Sequence, residues 1–191
     1  MRFFLLAVLL TYTTVSLFQF VIASPVTLPE DMVKRAPKPD GISGVLSKLD
    51  RSLSVILPQI DQLVQTKTAN QANVEPLIGQ VVAALNTAHD ELVALTPTQL
   101  IKRQSTKEIA QLVSKIITNI ATTLNGLLQF ASTIPLLGVL LSGVDRALNQ
   151  VLLGLSILLK GVLKLVAVLL ANVAQLLRNL GLSLTLGALG L

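Results

Sequence analysis

Residues 140–180 read LLSGVDRALNQVLLGLSILLKGVLKLVAVLLANVAQLLRNL, and the period of this stretch decides the fold class. At 100° per residue, Ser142, Asp145, Arg146, Asn149, Ser156, Lys160, Lys164, Gln175 and Arg178 fall on one narrow stripe, with Ala167 and Ala171 in its gaps. Leu140, Val144, Val151, Leu155, Leu158, Leu165, Leu169 and Leu176 lie opposite. Leu153 and Leu163 break the stripe, and Gln150 and Asn172 fall outside it. An apolar arc of about two thirds of the circumference with one polar edge is a helical pattern, not a strand pattern. A single helix of that length would be roughly 60–70 Å long. Gly138, Gly143, Gly154 and Gly161 predict that the segment, which starts at Pro135, bends or divides before Gly181 ends it.

Three environments suit such an arc: the centre of a helical bundle, a membrane, or a boundary between water and an apolar phase. Lys160 and Lys164 oppose the membrane, since each costs roughly 2.5–3.5 kcal/mol near mid-bilayer. The expectation is a loose bundle whose eight arc residues, Leu140 to Leu176, act at an apolar interface. Beyond Gly181 the period changes. Leu180, Leu182, Leu184 and Leu186 alternate with small or polar residues, which fits either a self-associating strand or a flexible apolar tail.

Upstream, the chain reads as further amphipathic helices, about four in all, giving an all-α bundle. Ile42, Val45, Leu49, Leu53, Ile56, Ile60 and Leu63 follow helical spacing, with a kink or break expected at Pro58. Residues 66–73 form a loop. A second helix covers residues 74–95, capped by Asn73 with Pro76 in its first turn, and presents Leu77, Val81, Leu85, Ala88 and Leu92. Ser105 and Glu108 make a capping box for a third helix to about residue 131.

The N-terminus is a leader. Arg2 precedes an apolar run, and Val21 and Ala23 stand where signal peptidase needs small or permitted residues. The run is nearly long enough for an uncleaved anchor, but Ser24-Pro25 supplies extended chain at the cut. The acidic, Pro-containing residues 24–35 end in Lys34-Arg35, a dibasic site of the kexin type. The expected organisation is therefore a signal peptide at 1–23, a pro-segment at 24–35, a hydrophilic helical half at 36–104 and a hydrophobic helical half at 105–191. The halves differ in charge: seven basic and seven acidic residues between positions 36 and 108, then Asp145 as the one acid against five basic residues. A second dibasic pair, Lys102-Arg103, stands between them and is a candidate cut.

Little chemistry is on offer. There is no cysteine, so neither a disulfide framework nor a thiolate metal site is expected. Beyond residue 35 the aromatic content is Phe130 alone, and the basic residues are scattered, which argues against nucleic acid. His89 is the single imidazole, and the adjacent Asp90 points elsewhere on a helix, so an exposed surface histidine is expected rather than a general base. Asp40, Asp50 and Asp61 are spaced as a solvated helix face. No enzyme, cofactor or metal site is expected.

A leader, a dibasic pro-site, no cysteine, a hydrophilic first half and a leucine-rich second half together resemble a secreted structural protein of mushroom-forming fungi, hydrophobic in its C-terminal half. The resemblance covers the whole chain and rests on architecture. It implies a cell-wall or extracellular-matrix protein that supports aerial hyphae and attaches hyphae to hydrophobic surfaces. Hydrophobins, which require eight cysteines, are excluded. The partners implied are hydrophobic surfaces or the air–water interface, with cell-wall glycans, lipid and further copies of the chain as additional candidates. The alternative is a secreted lipid-binding or membrane-active helical protein.

Overall fold

A computed structural model describes residues 41–95 and 105–191. The processing residues Ala23, Lys34, Arg35, Lys102 and Arg103 lie outside the described residues. Seven α-helices and no strand occur among the described residues: α1 Ile42–Gln65, α2 Gln71–Val93, α3 Thr106–Leu127, α4 Leu137–Leu158, α5 Val162–Leu170, α6 Ala174–Asn179 and α7 Ser183–Leu189. The all-α bundle is the observed architecture.

In α1 the expected apolar positions form the core face, from Ile42 and Val45 through Leu49, Leu53 and Ile56 to Ile60. The helix runs through Pro58 without a break. Pro58 is on the exposed side, where the carbonyl that loses its N–H partner meets water, while buried Ile56, Leu57 and Ile60 hold the flanking turns. Helix α2 begins earlier than its expected start. Asn70 is the cap and Asn73 its reciprocal partner: Asn73 N–H donates to Asn70 Oδ1 (3.2 Å) and Asn70 N–H to Asn73 Oδ1 (2.9 Å). Pro76 consequently lies inside the helix, and Val74 and Ile78 enter the core while Leu77 stays at its edge. Ser105 does precede α3, but its side chain makes no capping bond, so the expected capping box is not formed. Glu108 remains in the first turn, where the helix dipole favours it.

Neighbouring helices are paired in a way that interleaves the two halves. Short connections make α1/α2 and α3/α4 antiparallel. Lys115 of α3 meets Asp50 of α1 (2.9 Å) and Thr123 meets Asp61 (3.2 Å), so α1 and α3 run in the same direction side by side. His89 of α2 reaches Gln150 of α4 (3.0 Å), and Gly143 faces Val82, so α2 and α4 also run together. Leu46, Leu49, Leu85, Val113, Ile117, Leu148, Val151 and Leu152 converge from all four helices on a space of about 10 Å³, barely room for one water. The hydrophilic and hydrophobic halves therefore share one core.

The leucine-rich segment divides, as its glycines foretell, but at one of them. Helix α4 is continuous through Gly138, Gly143 and Gly154. Gly161 adopts φ +80°, a left-handed conformation that favours glycine, and turns the chain into α5. A 3₁₀ turn at Ala171–Val173 leads into α6. Gly181 (φ +71°) then closes α6: Gly181 N–H donates to Arg178 O (3.0 Å) and Leu182 N–H to Leu177 O (3.0 Å), satisfying orphan carbonyls. Helices α5 and α6 pack on α3, and α7 packs chiefly on α4, with further contacts to α5 and α6.

The last segment overturns both expectations for it. It is neither strand nor flexible tail. Ser183–Leu189 is helical, with Leu182, Leu186 and Leu189 buried. Local alternation gives way to a tertiary contact supplied by Asp145.

Candidate functional site

The expected apolar arc does not stay on one face, because the segment is not one helix. On α4, Val144, Val151 and Leu155 are core residues, and Leu140 and Leu158 are half-buried. After the turn at Gly161 a different set of positions points inward: Val162, Val166, Leu170, Ala174 and Leu177. Leu165 and Leu169 are left exposed, and Leu176 is half-buried.

Exposed Leu165, Val168 and Leu169 stand three and four residues apart on α5, so they form one apolar strip along its outer side. Leu153 and Ile157 make a second strip on the last turns of α4. Ile157 is 81% and Val168 75% exposed, more than any residue of the expected arc. Both were missed because they lie on or beside the polar stripe. Leu153 and Leu163, already out of pattern there, were the hints that the stripe itself carries apolar residues. The stretch Val162–Asn179 is long and apolar enough to cross a membrane by length and composition, yet only 28% of it is buried. Lys160, Lys164, Gln175 and Arg178 face water as expected.

Asp145 departs from the stripe. It is 3% exposed, and its carboxylate accepts three hydrogen bonds from the first turn of α7. The donors are Leu184 N–H (2.9 Å), Thr185 N–H (2.8 Å) and the Thr185 hydroxyl (2.7 Å). A helix N-terminus carries unpaired N–H groups and partial positive charge, so a carboxylate fits it even in the interior. The α7 cap residue, Leu182, has no side chain that could do this.

His89 is a half-buried link between helices rather than a surface residue. Its Nδ1 meets the Gln150 carbonyl, which can only accept, so Nδ1 carries a proton. Between α1 and α3 a groove of about 360 Å³ is lined by Asp50, Ser54, Asp61, Lys115, Asn119 and Thr122 over a floor that includes Leu53 and Leu57. Asp50 and Asp61 are about 16 Å apart along the helix, beyond the separation of a glycosidase carboxylate pair. Among the described residues no three His, Asp or Glu side chains gather as a metal site.

No protein-family model matches the chain. Its sequence is similar to fruiting body differentiation protein 16 of the mushroom fungus Flammulina velutipes, 39% identical over 84 residues. The match covers 44% of this chain and 65% of that protein, so the chain spans less than two thirds of the relative it resembles.

Proposed function

We propose that this chain is a non-catalytic, secreted structural protein of the cell wall or extracellular matrix, acting where hyphae meet a hydrophobic boundary. In this role it supports aerial hyphae and their attachment to hydrophobic surfaces during fruiting-body development. One observation carries the reading: an 18-residue apolar stretch, Val162–Asn179, has only 28% of its residues buried and displays Leu165, Val168 and Leu169 in one strip. An apolar strip in water is a liability unless something covers it. An air–water or solid boundary covers it without requiring a shaped partner. The likeness to a fruiting body differentiation protein supports the developmental setting. The leader and Lys34-Arg35 support secretion.

The test is adsorption of the purified protein to a hydrophobic solid, followed by water contact angle and circular dichroism. The expected result is a wettable, helical layer that resists rinsing. A surface that stays as hydrophobic as before would sink the proposal.

The same stretch favours a second reading, membrane association, because its length and composition suit a bilayer. The closed centre of the bundle leaves no ready chamber for an acyl chain among the described residues. Leakage of dye from liposomes at concentrations that leave the solid unwetted would favour membrane action.

A further inference from the structure

Helix α7 is short and packs chiefly on α4, with further contacts to α5 and α6. The chain enters it through one left-handed turn at Gly181. Leu182, Leu186 and Leu189 supply its apolar contacts, while Leu184 is exposed. Polar anchorage comes from Asp145 on α4, whose carboxylate binds the α7 amides of Leu184 and Thr185 and the Thr185 hydroxyl across some forty residues of chain. Asp145 is also the one acidic residue after Glu108, and in this apolar half it is spent on the clasp.

These two kinds of contact respond differently to an apolar boundary. At such a surface the three leucines, and the apolar face of the bundle that they uncover, can both meet an apolar neighbour again, so the burial given up on release is regained there. The hydrogen bonds at Asp145 are exchanged for bonds to water. In bulk water, by contrast, release would expose all three leucines. An apolar boundary therefore has a differential affinity for the released state, which is what any induced change requires.

We infer that α7 is a releasable strap, clasped to α4 by Asp145 in solution and freed at an apolar–water boundary, where Leu182, Leu186 and Leu189 join the exposed strip of α5. This rests on the interface reading above and adds a moving part to it.

The experiment is amide hydrogen exchange of the full chain, free and adsorbed to polystyrene nanoparticles. In solution, Asp145→Asn should speed exchange in residues 180–191 roughly tenfold to hundredfold, as expected for loss of a buried charged acceptor, and leave α1–α3 unchanged. On the particles the parent should lose protection in residues 180–191 while keeping it in α1–α4. A variant carrying Asp145→Cys and Thr185→Cys joins two side chains already in contact, in a chain with no other cysteine. Oxidised, it should keep α7 protected on the particles; reduced, it should release it. If adsorbed parent protein protects α7 as fully as free protein does, the strap is wrong while the interface reading stands. If the parent does not adsorb, both fall. The parent measurement decides even where a variant fails to fold.

Discussion

His89 on α2 holds its Nδ1 3.0 Å from the main-chain oxygen of Gln150 on α4, beside Gly154. This ties two parallel helices from opposite halves of the chain near the C-terminal end of α2. His89→Ala removes one hydrogen bond and some packing, so a loss of about 1 kcal/mol is expected. Chemical denaturation, read as a lower midpoint at unchanged slope, checks it.

The glycines of the leucine-rich segment are not equivalent. A methyl at Gly154 would lie 3.5 Å from His89 Nδ1 and 3.8 Å from Leu92 Cβ, ordinary contact distances. Gly154→Ala should stabilise the protein by about 0.5–1 kcal/mol through helix propensity. Gly161→Ala should destabilise it by about 1–2 kcal/mol, because φ +80° disfavours a Cβ there although space is open. Parallel thermal melts that moved both variants in the same direction would contradict this account of where the segment divides.

Ser114 is buried in α3 and its hydroxyl has no hydrogen-bond partner. Ser114→Ala removes an unsatisfied polar atom with little change of volume. Stability should hold or rise by up to about 1–2 kcal/mol. A measured loss beyond about 1 kcal/mol would mean that the hydroxyl has a partner in solution.

The exposed strip permits a clean separation of folding from adsorption. Leu165→Lys with Leu169→Lys alters positions that are 42% and 46% exposed, so unfolding free energy should fall by no more than about 1–1.5 kcal/mol per site while the helical fold is kept. Adsorption to a hydrophobic solid should weaken strongly. Lys160→Gln with Lys164→Gln should leave adsorption nearly unchanged. Equal binding by parent and leucine double variant, both helical, would remove this strip from the interface.

Secretion is tested at the N-terminus. N-terminal sequencing and intact mass of protein from the culture medium should give a chain starting at Ala36, just after Lys34-Arg35. A start at Ser24 would retain the signal peptide and discard the pro-segment.

What could be read from the sequence depended on whether one helix faced one core. For α1 it largely did: Ile42, Val45, Leu49, Leu53, Ile56 and Ile60 are buried as expected, Leu63 is half-buried, and Leu46 and Leu57 widen the face beyond the spacing read from the sequence. Even Pro58 did not disturb them, since its lost hydrogen bond lies on the wet side. A helical wheel cannot register that α5 is rotated relative to α4. Val144 and Leu165, drawn on the same arc, therefore have opposite fates, one in the core and one in water. Nor can local period reveal Asp145, whose partners lie forty residues downstream. Leu182, Leu184 and Leu186 alternate like a strand, yet the burial of Leu182, Leu186 and Leu189 together with a remote carboxylate at the helix start goes with a helix. Ile157 was hidden for a simpler reason: it occupies a polar stripe, where an apolar residue looks like noise.

The side-by-side pairing of α1 with α3 and α2 with α4 bears on the dibasic pair Lys102-Arg103. A protease that severs the chain there parts α1 and α2 from α3–α7 in sequence only. Helix α1 stays packed on α3 and α2 on α4, and Asp50–Lys115 and His89–Gln150 bridge the two fragments. Cutting would turn one molecule into a nicked, two-chain complementation pair that migrates as halves in detergent and as a whole under native conditions. The apolar fragment would then come free only where the surroundings can take the place of its partner.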